Sequence, residues 1–445
     1  TVIVCKRLIT SSGGSIQALT RPFGGCTGII GGMMDSIREL YRIGHGPSSS
    51  HTMGPQWAAE QFLARCPQAQ AFRVTLYSSL AATGRGHMTD AAILQALAPR
   101  PVEIVWLPEE SLPLHPNGMR FEGLSAAGAV LDSWEVYSVG GGALMDALYP
   151  QAQSAVYDLD SMRAILKYCT QNGLSFWEYV EMREGPEIWD YLRRVWTAMQ
   201  DSVQRGLRTE GALPGGLGVA RKAWALHRKM TMMGQNFLKE GYLPAYALAV
   251  AEENAAGGVI VTAPTCGSSG VLPAVLYHLA ESLHLHEESL LRALATAGLV
   301  GNLIKHNASI SGARVGCQGE IGAACAMAAA AATQLMGGTL RQMEYAAEMG
   351  LEHHLGLTCD PVDGLVQIPC IERNVFAAAR ALTCANYAGY SDGSHRVSFD
   401  EVVEVMEQTG HDLPSLYRET ANGGLAKAYR FPPQDGQGLN EEDGA

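Results

Sequence analysis

IGAACAMAAAAATQLM, residues 321–336, is the most apolar run of the chain, and its reading decides the kind of fold. A membrane span needs about 20 strongly apolar residues. Most of this run is alanine, whose transfer energy is small, and Gln318, Glu320 and Gln334 lie within or beside it. We therefore expect a tightly packed core helix and no membrane partner. Around it, apolar residues recur at helical spacing through 159–171, 186–206, 219–238, 242–256, 271–282, 287–304, 340–351, 371–388 and 398–408. Residues 158–430 are expected to form a large all-α domain, with glycine-rich joints between its helices.

Upstream the pattern is mixed. Helices are expected at 34–42 and 55–65, and AFRVTLYSSL (71–80) reads as a strand rich in β-branched and aromatic residues. TDAAILQALA (89–98) reads as a helix capped by Thr89, while VEIVWL (102–107) and WEVYSVGG (134–141) read as further strands. Residues 34–157 thus make a small α/β domain, and the whole is a two-domain α+β chain. Residues 1–33 lack an initial Met, are glycine-broken, and lack the continuous apolar core of a secretory signal, so they are expected to be a disordered or non-native leader before Met34. The polar, acidic tail 431–445 is expected to be disordered.

The formal charge of −12, from 32 basic against 44 acidic residues, gives a surface that repels phosphate backbones, so nucleic acid is not an expected partner. The 10 cysteines are scattered rather than regularly spaced, which suits a reducing cytoplasm better than a secreted disulfide scaffold.

HGPSSSHTMGP (45–55) offers the hydroxyls of Ser48, Ser49, Ser50 and Thr52 and the imidazole of His51 ahead of a helix N-terminus, where free N–H groups suit a carboxylate. The plain alternative is a Ser/Thr cap beside an incidental histidine. TGRGHMTD (83–90) repeats the theme with Arg85 and His87, and by itself is weak. EENAAGGVIVTAPTCGSSG (252–270) and NLIKHNASISGARVGCQGE (302–320) place many polar groups, among them Lys305, His306, Asn307 and Ser309, in an otherwise apolar region. Buried polar groups are costly unless satisfied or used, so either a site or a structural hydrogen-bond network stands there. Cys317, Cys359 and Cys370 each fall at a turn next to Gly or Pro and are candidate ligands, whereas Cys325 and Cys384 lie within helices as packing residues. No CxxC pair is present.

In this order, and together with QRGLRTEGALPGGL, EHHLGLTCDPVDGLVQIPCIERN and YRETANGGLA, these segments resemble the iron-sulfur-dependent L-serine dehydratases (L-serine ammonia-lyases) of bacteria in their fused single-chain form, from about Met34 to Tyr429. The resemblance implies a 4Fe-4S cluster held by Cys317, Cys359 and Cys370, at intervals of 359 − 317 = 42 and 370 − 359 = 11. It implies an N-terminal domain similar to the allosteric substrate-binding domain of some phosphoglycerate dehydrogenases, and a homodimer. It also implies dehydration of L-serine to pyruvate and ammonia. With three thiolates, one iron keeps an open position and acts as a Lewis acid toward the serine hydroxyl. On that reading His51 is the base, with His87 or Lys305 next in line. Ser48, Ser49, Ser50, Thr52, Asn307 and Ser309 are then the residues expected around the substrate.

Three departures stand out. Some members end in a cysteine that caps the fourth iron, whereas this sequence ends in EEDGA, so that capping is not expected. Members usually carry glycine where this chain has Met88 and Asp363. Rival readings are a cluster-dependent cysteine desulfidase, a threonine deaminase, a pyridoxal enzyme using Lys305, and a non-enzymatic amino-acid sensor holding zinc.

Overall fold

In the strand Ala71–Tyr77, alternation turns Phe72, Val74 and Leu76 to one buried face. Val74 pairs with Phe121 across the sheet, and Phe121 pairs in turn with Trp134, so one apolar face runs through three strands. The computed structural model describes residues 33–146, 155–233 and 239–430, and the expectations for residues 1–32 and for the tail lie outside it. The sheet has five strands in the order Val102–Leu107, Ala71–Tyr77, Gly118–Leu124, Val130–Ser138 and Leu144–Met145. Its first pair is parallel and the others antiparallel. Helices Gly54–Arg65 and Thr89–Leu97 supply Phe62, Ile93 and Leu97 to its core. The strand Gly118–Leu124 escapes the sequence reading, because glycines at both 118 and 123 weaken its alternation.

Downstream, helix Ile321–Leu335 is buried from Ile321 through Thr333. It is enclosed by helices Val271–Leu283, Glu287–Asn307, Leu340–Glu352 and Cys370–Tyr390. Alanine side chains let these backbones come close: a Cβ added at Gly350 would lie 2.9 Å from the backbone of Ala326. Capping boxes at Ser175, Thr339 and Ser398 start three of the helices. Among the described residues no single helix is long and apolar enough to cross a membrane; Gly312–Gln318 and Ile321–Leu335 pass that test only as a pair, bent by 52°. Among the described residues, the part expected to be all-α contains one short strand, Val259–Val261, which pairs with Ile43–His45.

The expected helix at 34–42 is corrected to strand Met34–Asp35, a 3-10 turn at Ile37–Glu39 and strand Ile43–His45. Ile37, Leu40 and Tyr41 are buried, as helical spacing suggested, but tertiary partners capture the backbone: Asn302 Nδ2 donates to the carbonyl of Asp35, and Ile37 N–H donates to Glu184. A strand over 71–80 is also corrected, for it ends at Tyr77, and Ser78 starts a short helix with φ at 44°. Thr89 does not cap its helix; its hydroxyl donates to the carbonyl of His51, and Met88 takes the cap position.

Candidate active site

SSSHTM begins no α-helix. Ser49–Met53 form one turn of π-helix, a wide turn frequent at functional sites, and it presses all five side chains inward. The hydroxyls of Ser48, Ser50 and Thr52 are engaged by backbone groups and by the imidazole. Ser48 Oγ accepts from the His51 N–H at 3.1 Å, Thr52 Oγ1 donates to the His87 carbonyl at 2.7 Å, and Ser50 Oγ lies 2.9 Å from His51 Nδ1. The capping alternative therefore describes Ser48, whereas Thr52 ties the turn to the His87 segment. Asn254, from the EENAAGG motif, holds this loop through the Pro47 carbonyl at 2.8 Å.

His51 is fully buried, with its ring 4.6 Å from that of His87. Its Nε2 is 3.3 Å from Ser79 Oγ, and its Nδ1 is 3.2 Å from Glu419 Oε1. Burial, then the charge of His51, lowers His87 to about 3. Burial alone would raise the Glu419 acid, but the charge and hydrogen bond of His51, with His87 and His115 behind it, hold it at about 2.

Ser48, His87 and Glu419 line one enclosed cavity with Cys317, Glu320, Cys359 and Cys370. Ligand atoms of Cys317, Glu320 and Cys359 lie within 4.8 Å of one another. Cys317 sits in a 3-10 turn, Cys359 in the loop after Leu340–Glu352, and Cys370 at the first position of its helix. The hydrogen bond from Cys359, helped by Arg373, brings the Cys317 thiol down to about 7 against its burial. Burial pushes Cys370 up, and burial is likewise the main reason the Glu320 acid is raised. Thr265 donates to Glu320 Oε1 at 2.7 Å, tying the TCGSSG turn to the thiols.

Other expected residues lie elsewhere. Lys305 pairs with Asp35 at 3.2 Å, and exposed Asn307 donates to the Asp160 carbonyl at 2.7 Å; neither lines the cavity. Ser309 is buried and accepts from the Ser311 N–H. Ser49, Ser50, His51 and Thr52 are buried but do not line the cavity, which their loop meets through Pro47 and Ser48. Glu252 and Glu253 serve structure, taking the Lys222 N–H and the Arg205 and Arg221 guanidinium groups. The sequence reading passed over Glu419, Ser79 and Arg373. Glu419 had a signal, its place in YRETANGG beside a glycine pair, whereas nothing local marks Ser79.

A helical body and a sheet layer that converge on a buried set of thiols, imidazoles and carboxylates define an enzyme built from two parts. The model of the serine dehydratase alpha chain matches residues 136–426, and that of the beta chain matches 36–105 and 99–148. The chain belongs to the serine dehydratase family. It is 42% identical over 449 residues to the L-serine dehydratase of Streptomyces coelicolor, covering 88% of this chain and 99% of that one. It is 42% identical over 450 residues to L-serine dehydratase TdcG of Escherichia coli, with the same coverage, and 39% identical over 456 residues to the L-serine dehydratase of Mycobacterium tuberculosis, covering 88% and 98%.

Proposed function

We propose that the chain is an L-serine ammonia-lyase that releases pyruvate and ammonia. The observation that carries this reading is one cavity walled by the thiols of Cys317, Cys359 and Cys370 from the helical body and by Pro47, Ser48 and His87 from the other part. Three soft sulfur donors beside the Arg373 cation suit an iron-sulfur group far better than a hard cation. Cys317, Cys359 and Cys370 would hold a 4Fe-4S cluster, which when bound supplies a Lewis acid for the departing hydroxyl.

The chain's own residues supply the proton chemistry. Nδ1 of His51 is engaged by Ser50 and Glu419, and Nε2, 3.3 Å from Ser79 Oγ, would take the α-proton in exchange for that contact. The imidazolium so formed is compensated by the Glu419 carboxylate. Burial of His51, His87 and Glu419 strengthens each of these interactions. The same reading carries a cytoplasmic homodimer.

Anaerobic purification with iron and acid-labile sulfide analysis, followed by a pyruvate assay with L-serine, tests the proposal. We expect about four irons per chain and pyruvate formation; zinc without labile sulfide would refute the cluster. His51→Asn is expected to leave the visible iron-sulfur absorbance unchanged and to cut turnover by about 10²- to 10⁴-fold. Near-wild-type turnover would remove His51 as the base.

A further inference from the structure

Glu419 reaches the cavity from beyond the last long helix, Phe399–Asp412. Its segment is pinned to the loop of Cys359: the Cys359 N–H donates to the Tyr417 carbonyl at 2.8 Å, the Thr420 N–H donates to the Cys359 carbonyl at 3.2 Å, and the Leu425 N–H donates to Asp360 Oδ2 at 2.8 Å. The residue itself is held at φ 48°, a left-handed backbone that an L side chain adopts at a cost and that clusters at functional sites. Its Oε1 is used, at 3.2 Å from His51 Nδ1 and 3.4 Å from Ser50 Oγ. Its Oε2 is buried without a hydrogen-bond partner.

That free oxygen belongs to a side chain lining the cavity. The other carboxylate of the wall, Glu320, is occupied: Oε1 accepts from Thr265, and Oε2 lies 3.7 Å and 3.9 Å from the thiols of Cys317 and Cys359. A buried carboxylate oxygen left unpaired is expensive, and a cation that meets it offsets the cost. A compact ammonium with three donors is a cation of that kind.

We propose that Glu419 Oε2 is the acceptor for the α-ammonium group of the amino-acid substrate. The assignment rests on the lyase reading and deepens it. One carboxylate then serves two partners, imidazole on Oε1 and substrate nitrogen on Oε2, and the site selects amino acids over 2-hydroxy acids.

The test compares two unreactive ligands, L-alanine and L-lactate, as competitive inhibitors against L-serine and by calorimetry on the cluster-loaded enzyme. Wild type is expected to prefer L-alanine by about 30-fold or more, and Glu419→Gln to reduce that preference to below about threefold. Glu419→Asp, which keeps the charge, should retain a preference of at least about tenfold, and it carries the test if the glutamine variant does not fold. Wild type without preference overturns the assignment. So does a glutamine variant that turns over slowly with its preference intact, because Glu419 would then act only by positioning His51. Failure of wild type to make pyruvate from L-serine would instead sink the lyase reading.

Discussion

Met88 and Asp363, the two positions where the sequence reading expects glycine, both have φ at 57°. This is the left-handed region, which costs an L side chain about 1–2 kcal/mol and glycine almost nothing. A glycine expected at either position would therefore answer a backbone requirement, and Asp363, whose side chain is exposed, does not place its carboxylate in the cavity wall. Met88→Gly is expected to raise stability by about 0.5–1 kcal/mol after the greater unfolded-chain entropy of glycine is subtracted. A thermal melt showing destabilisation would contradict that. Glu348 offers a second prediction, away from the thiols. Burial, then the carboxylates of Glu352 and Glu344, raises its acid from 4.5 to about 8. The folded state keeps a proton that the unfolded chain has released, so the stability is fully present below 4.5 and is lost as pH rises through about 8. Glu348→Gln should remove this loss and be more stable than wild type at alkaline pH, by on the order of 2 kcal/mol, while matching it at acid pH. Parallel pH-stability curves for the two proteins would refute it.

The alanine-rich helix works at the scale of elements. Its small side chains bury little area each, and what they supply instead is closeness, bringing helix Leu340–Glu352 near enough for Gly350 to touch the backbone of Ala326. Backbone cannot give way as a flexible side chain can. Gly350→Ala is therefore expected to cost about 1–3 kcal/mol, read as a lowered midpoint in denaturant with unchanged slope; a neutral effect would show that the two helices can slide apart. The same closeness sets the ends of Cys370–Tyr390 and Val271–Leu283 against each other. Asn374 Oδ1 accepts from the Gly270 N–H at 2.9 Å, and its Nδ2 donates to the Gly267 carbonyl at 2.8 Å. In this way packing at a helix seam fixes the glycine turn that leads to Thr265 and Glu320 at the site.

Across the whole molecule, Met34, Ile37, Leu40, Tyr41 and Met53 belong to the same apolar core as the downstream helices, and Ile43–His45 pairs with Val259–Val261. The sheet layer and the helical body are therefore expected to unfold in one calorimetric transition, and two resolved transitions would contradict the shared core. By itself the sequence determined most helices, three of the sheet strands and the turn placement of Cys317 and Cys359, because periodicity and Gly and Pro breaks are local properties, whereas Cys370 opens a helix. Its reading of 34–42 as a helix was overridden by Asn302 and Glu184, which lie far along the chain. Lys305 and Glu419 show the same limit from opposite sides. The first sits in a motif dense with polar groups yet is spent on Asp35, and the second lies far beyond His51 in sequence yet meets it at 3.2 Å. Which polar group is used and which is merely satisfied depends on partners brought together by packing, and that was decided only by the tertiary structure.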